Sequence, residues 1–127
     1  MADAKRRVVF VDDSATVRQV LARVLSVAGY EPIACVTWED VQEAVEKQQP
    51  SLVLLDVQMP HISGAPMAFV LKRGYPDLKV IYYSDGEEGM LKQLTAETGA
   101  DGYICKGPNY EQFLAELGAF VRGPDGG

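Results

Sequence analysis

The sequence predicts an α/β fold in which a parallel sheet is covered by helices on both faces. Three observations carry that expectation. Five short apolar runs alternate with five segments of helical periodicity along the chain. One run, Leu52-Val53-Leu54-Leu55, has no polar position at all, which suits a strand buried on both sides. Strict strand–helix alternation leaves right-handed crossovers as the ordinary connection, and these make neighbouring strands parallel.

Each element has its own signal. Residues 7–11, RVVFV, read as a buried strand. Ser14 opens a helix whose apolar positions Val17, Val20, Leu21, Val24, Leu25 and Ala28 recur at helical spacing, and Gly29 stops it. Residues 31–36 form the second strand. Thr37 caps a helix running to about Gln48, with Val41, Ala44 and Val45 inward. Gln49-Pro50 closes it, and the strand at 52–56 follows. Gly64 to Leu71 is helical, with Pro66 tolerated in the first turn. Residues 78–84, LKVIYYS, make the fourth strand. Glu87 to about Thr98 makes the fourth helix, with Met90, Leu91 and Leu94 inward and Gly99 as its stop. GYIC at 102–105 is the fifth strand. Asn109 caps a last helix with Tyr110, Phe113, Leu114, Leu117, Phe120 and Val121 on its core face. Tyr82 and Tyr83 read as strand residues, and Trp38 as a partly exposed packing residue.

Bulk properties narrow the function. A chain of 127 residues with 47% hydrophobic and 24% charged residues fits one globular domain with an adequate core. Residues 123–127, GPDGG, are expected to be a flexible tail. The formal net charge of −6 argues against direct nucleic-acid binding. No apolar run is long enough to span a membrane, and no signal-peptide pattern opens the chain, so a cytoplasmic location is expected. Cys35 and Cys105 are expected to be reduced, buried thiols. His61, between Pro60 and Ser63-Gly64, is expected in a solvated loop.

The polar residues that matter lie at the strands' carboxyl ends, where open parallel sheets gather ligands. The first strand ends in Asp12-Asp13, the third in Asp56 and the fourth in Ser84, and Lys106 follows the fifth. An isolated buried carboxylate is costly, so Asp56 needs an open strand end, a partner or both. Three aspartates packed together repel unless a cation offsets them. An all-oxygen set of this kind suits Mg2+, and Ca2+ lacks its acidic twelve-residue loop here. A carboxylate beside a metal and an ammonium is equipped to attack a phosphoryl group, forming an aspartyl phosphate. Residues 11–18, VDDSATVR, contain no glycine-rich phosphate loop, which counts against nucleotide binding.

FVDDS, LVLLDVQMP, IYYSDG and ADGYICKGP, in that order and spacing, resemble the receiver domain of bacterial two-component response regulators, in particular the stand-alone, chemotaxis-regulator-like kind. The resemblance spans nearly the whole chain, with residues 1–122 as the receiver. It implies a flavodoxin-like (βα)5 fold with strand order 2-1-3-4-5. It also implies that Asp56 accepts phosphate from a histidine kinase or phosphotransfer protein. Asp13 and Asp56 would then bind Mg2+ directly, Asp12 mainly through water, and Gln58 through its backbone carbonyl. Ser84 and Lys106 would contact the phosphoryl group, and Tyr103 would be the switch aromatic. Signals would leave through the face of the fourth helix, fifth strand and fifth helix; the last helix's own pattern, beside its core stripe, leaves Gln112, Glu116 and Ala119 as a partner-facing surface. Such a protein is a switch with possible autodephosphorylation, not an enzyme turning over an external substrate.

Two positions depart from that pattern. Asp85 stands where receivers carry a small residue, and a carboxylate there either crowds the phosphoryl group or points outward. Gly107 separates Lys106 from Pro108, where the family has Lys-Pro with a cis bond. A cis bond to a non-proline costs about 3 kcal/mol, so the loop is expected to take another path. These departures favour the alternative of a pseudoreceiver, a phosphorylation-independent interaction module. A Mg2+-dependent phosphatase or phosphotransferase would need a substrate cap, and no insertion is long enough to build one.

Overall fold

The computed structural model describes residues 6–57, 64–107 and 109–122. Five strands alternate with five helices: β1 (Arg7–Val11), α1 (Ala15–Val27), β2 (Glu31–Cys35), α2 (Trp38–Gln48), β3 (Leu52–Leu55), α3 (Gly64–Gly74), β4 (Lys79–Ser84), α4 (Glu88–Thr98), β5 (Gly102–Cys105) and α5 (Tyr110–Arg122). The strands form one parallel sheet in the order β2-β1-β3-β4-β5. The doubly wound, flavodoxin-like arrangement is thus the observed one. Among the described residues no helix is long and apolar enough to cross a membrane.

Register explains the two-sided core. Val9 pairs with Val53, which pairs with Val80, and all three point to one face with Val11, Leu55 and Tyr82. Helices α2, α3 and α4 cover that face through Val41, Val45, Ala68, Leu71 and Leu91. Val8, Phe10, Leu52, Leu54, Ile81, Tyr83 and Ile104 point the other way, under Leu21 and Leu25 of α1 and Phe113 and Leu117 of α5. All four residues of β3 are at most 1% exposed, as its unbroken apolar pattern requires. Each such side chain contributes about 1.5–3 kcal/mol of burial. Edge strand β2 carries Pro32, which the sheet interior would not tolerate.

The helix ends follow their capping chemistry. The Ser14 hydroxyl accepts from the Val17 N–H at 3.3 Å, and Thr37 and Asp40 form a reciprocal capping box. Asn109 Oδ1 accepts from the N–H groups of Glu111 and Gln112 at 2.9 and 3.2 Å. Gly99 ends α4 with φ of 80°, a left-handed value that favours glycine.

Four positions on the expected apolar helix stripes are open: Val20, Ala28, Met90 and Tyr110. Successive helix residues are about 100° apart, so Val20 and Met90 are turned off the axis of contact that Leu21 and Leu91 occupy. Met59, Pro60, His61, Ser63 and the 123–127 tail lie outside the described residues, so the readings placed there have no structural counterpart.

Candidate functional site

The polar strand ends converge at the carboxyl edge of the sheet. Asp12 follows β1, and its N–H donates to the Cys35 carbonyl at 3.3 Å, which continues the β1–β2 ladder past the strand. Its Oδ1 accepts from the Ser14 N–H at 2.9 Å, and the Arg18 guanidinium donates to its carbonyl at 2.7 Å. These bonds fix an aspartate only 5% exposed. Asp56 directly follows β3. Lys106 follows β5, and its N–H donates to the Ser84 carbonyl at 2.8 Å.

The Lys106 ammonium joins two of the carboxylates. It donates to Asp56 Oδ2 at 2.8 Å and lies 3.5 Å from Asp12 Oδ2, with all three side chains less than a quarter exposed. Charge-assisted bonds of this kind are about twice as strong as neutral ones. Burial opposes the charge of Lys106. The hydrogen bond to Asp56 and the charges of Asp56 and Asp12 outweigh it and hold the ammonium above its usual range. The ammonium also lies 5.3 Å from the centroid of the Tyr83 ring, over its face.

Ser84 is fully buried at the end of β4, and its hydroxyl accepts from the Gly86 N–H at 3.3 Å. Asp13 is exposed beside Asp12, and Asp85 is exposed beside Ser84. Tyr103 is half-buried on β5, and its hydroxyl donates to Glu88 at the start of α4 at 2.7 Å. That bond to a carboxylate leads the causes that raise its pKa. Gln58 lies outside the described residues. The structure therefore brings Asp12, Asp56 and Lys106 into contact and sets Ser84 on the neighbouring strand end.

The sequence comparison decides the class. The model of the response regulator receiver domain family matches residues 8–117. The chain belongs to that family. Among its relatives, the phosphate regulon transcriptional regulatory protein PhoB of Pseudomonas aeruginosa is 34% identical over 122 residues, covering 92% of this chain and 52% of PhoB. The chain thus spans about half the length of such relatives. The chemotaxis protein CheY4 of Vibrio cholerae superposes with a TM-score of 0.83 at 26% identity, covering 90% of this chain and 97% of CheY4. The response regulator TrrA of Thermotoga maritima, solved in complex with Mg2+ and BeF, gives a TM-score of 0.78 at 26% identity, covering 88% of this chain and 96% of TrrA.

The receiver's cysteines require a correction. Cys35 is buried as expected, but Cys105 is exposed, because it ends edge strand β5. Burial first, then the Asp40 charge, pushes the Cys35 thiol up to about 11. Desolvation, then Glu88 and Glu116, also raises Cys105. Neither is the low-pKa thiolate that a cysteine nucleophile needs.

Of the two departures expected from the sequence, Asp85 and Gly107 are described, and Pro108 lies outside the described residues. No peptide bond among the described residues is cis, and nothing lies within 4 Å of a Cβ built on Gly107. Three residues of this receiver's site went unread in the sequence. Arg18 and Glu88 gave no signal, since each looks like an ordinary surface charge on a helix. Tyr83 had a weak one: it immediately precedes Ser84 and pairs with Ile104, two positions before Lys106. Alternation in a strand puts such positions on one side of the sheet.

A Mg2+ ion is consistent with the donor chemistry here. Mg2+ keeps several waters and takes one or two carboxylates, not a full protein cage. No group of three or more acidic, histidine or cysteine side chains forms such a cage among the described residues. Asp12 and Asp56 both reach the Lys106 ammonium, so two carboxylates stand at this edge.

Proposed function

We propose that this receiver is a phosphorylation-dependent switch in which Asp56 accepts a phosphoryl group from a histidine kinase or phosphotransfer protein. The observation that carries the reading is the Asp56–Lys106 contact at the carboxyl edge, with Asp12 on the same ammonium. A carboxylate oxygen of Asp56 would attack phosphorus as the P–N bond of a phosphohistidine breaks, and the departing imidazole would take up a proton. Lys106 would follow the charge onto the phosphoryl oxygens, and the Ser84 hydroxyl would donate to one of them. Asp13 and Asp56 would hold Mg2+ directly, Asp12 mainly through water and Gln58 through its backbone carbonyl, and the ion would screen the phosphoryl charge when bound.

The readout would run through Ser84 to Tyr103 and so to the α4–β5–α5 face, biasing an existing two-state element. On this reading residues 1–122 form the receiver and 123–127 its tail, and the protein works in the cytoplasm through protein contacts.

A second reading is supported by Asp85, whose exposed carboxylate adjoins Ser84. It could exclude a phosphoryl group and leave a phosphorylation-independent binding module. Intact-mass measurement after incubation with Mg2+ and acetyl phosphate separates the two. The switch gains one phosphoryl group, and Asp56→Asn gains none. Uptake by Asp56→Asn at the same level would discard Asp56 as acceptor. If the parent stays unmodified, Asp85→Ala decides: uptake restores the switch with a guarded site, and silence leaves the binding module.

A further inference from the structure

A lysine carries its charge on a long, flexible stem, so a site that needs its ammonium at one place must hold it there. In this receiver, residue 107 is a glycine in open space, which supplies no local stiffness. The backbone of Lys106 is fixed by its bond to Ser84, and the far end of its stem meets Asp56 and Asp12. Asp56 and Asp12 hold the ammonium from one side.

Tyr83 is the group on the other side. Its ring is 7% exposed, packed between the sheet and α5. Phe113 packs against it, tilted by 38° with centroids 4.9 Å apart, and Tyr110 meets Phe113 edge-on at 6.3 Å. The three rings form a continuous aromatic support from α5 to the sheet, and Tyr83 turns its face to the Lys106 ammonium at 5.3 Å. A cation over an aromatic face within about 6 Å is attracted by the ring quadrupole, more so where water is scarce.

We propose that Tyr83 is a positioning residue for Lys106, its ring face, braced by Phe113, holding the ammonium beside Asp56 and Asp12. The kinetic part of this inference rests on the acceptor reading above; the structural part does not. Tyr83 takes no part in bond making. It limits the volume that the ammonium samples, so that Lys106 meets the phosphoryl oxygens when charge develops there.

The test separates ring shape from ring charge. Tyr83→Phe keeps the face, pentafluorophenylalanine at position 83 keeps the shape but inverts the quadrupole, and Tyr83→Leu removes the ring. Two readouts are followed at matched fraction folded: the order and ring-current shift of the Lys106 ε-methylene by NMR, and the initial rate of phosphoryl uptake from acetyl phosphate. The expected result is parent-like behaviour for Tyr83→Phe. The fluorinated and leucine variants should show a more mobile Lys106 and uptake slower by about two- to fivefold. Equal Lys106 order in the phenylalanine and fluorinated variants would overturn the proposal and leave Tyr83 a packing residue. If Tyr83→Leu fails to fold, the two aromatic variants decide alone. If neither the parent nor Asp85→Ala takes up phosphate, the acceptor reading falls while the NMR comparison still decides the role of Tyr83.

Discussion

Two lysine–aspartate pairs stand at opposite edges of the same sheet, and they are built differently. At the amino edge, Lys72 donates to the carbonyls of Pro76 and Leu78 at 3.0 and 2.8 Å and to Asp101 Oδ2 at 3.0 Å. The same Oδ2 accepts from the Val80 N–H at 2.8 Å. All three ammonium protons are used, one positive charge meets one negative, and the backbone around β4 and β5 is tied shut. At the carboxyl edge, Lys106 faces two carboxylates, with the Asp13 carboxylate exposed nearby in the chain. That edge keeps surplus negative charge. A closed pair of this kind is a structural clamp, whereas an open one is suited to an incoming cation and phosphoryl group.

Removing each ammonium in turn sharpens the contrast. Lys106→Met should slow phosphoryl uptake by about a hundredfold, the usual cost of losing one charged stabiliser of a transition state. Mass spectrometry against time, with acetyl phosphate and Mg2+, measures it. Uptake within threefold of the parent would remove Lys106 from the site. The substitution should cost stability as well, because the two carboxylates it leaves are only 7% and 12% exposed.

Lys72→Met should cost stability alone. It leaves two carbonyls and the Asp101 carboxylate short of a partner, at side chains only 17% and 24% exposed. Removing one partner of a buried pair costs several kcal/mol, and partial exposure reduces this to about 2 kcal/mol. Urea denaturation reads that loss, while the uptake rate per folded molecule should remain at the parent value. A drop in rate as large as that of Lys106→Met would mean that the two edges are coupled and the comparison fails.

The open pair was legible in the sequence and the closed one was not. Asp56 stood out because a carboxylate follows four apolar residues, and Asp12, Ser84 and Lys106 because each adjoins a recognisable strand. Element order, caps and the sheet's two-faced burial followed from periodicity and turn residues. Lys72 and Asp101, 29 positions apart, meet only because β4 and β5 are neighbours in the sheet. The Tyr103–Glu88 bond and the Tyr83 ring under Lys106 depend on side-chain direction, which a single sequence does not encode visibly. Cys105 misled because an apolar neighbourhood in sequence, Tyr-Ile-Cys, lies on an edge strand in space.

The smallest expected effect lies in alkaline solution. The folded pKa of Lys106 is raised, despite the opposing effect of burial, by the Asp56 bond and the charges of Asp56 and Asp12. For a group raised on folding, the stabilising contribution is complete below the unfolded lysine value of about 10.4 and is lost as pH climbs through the higher folded value. The difference in unfolding free energy between the parent and Lys106→Met should therefore be flat from about pH 7 to about pH 9 and shrink above about 10.4. Paired urea titrations at each pH measure it, with tyrosine and thiol ionisation common to both proteins. A difference that grew with alkalinity would mean that the two carboxylates do not favour the charged ammonium in the fold. The carboxyl edge would then not be the open, electronegative pair that the contrast with Lys72 requires.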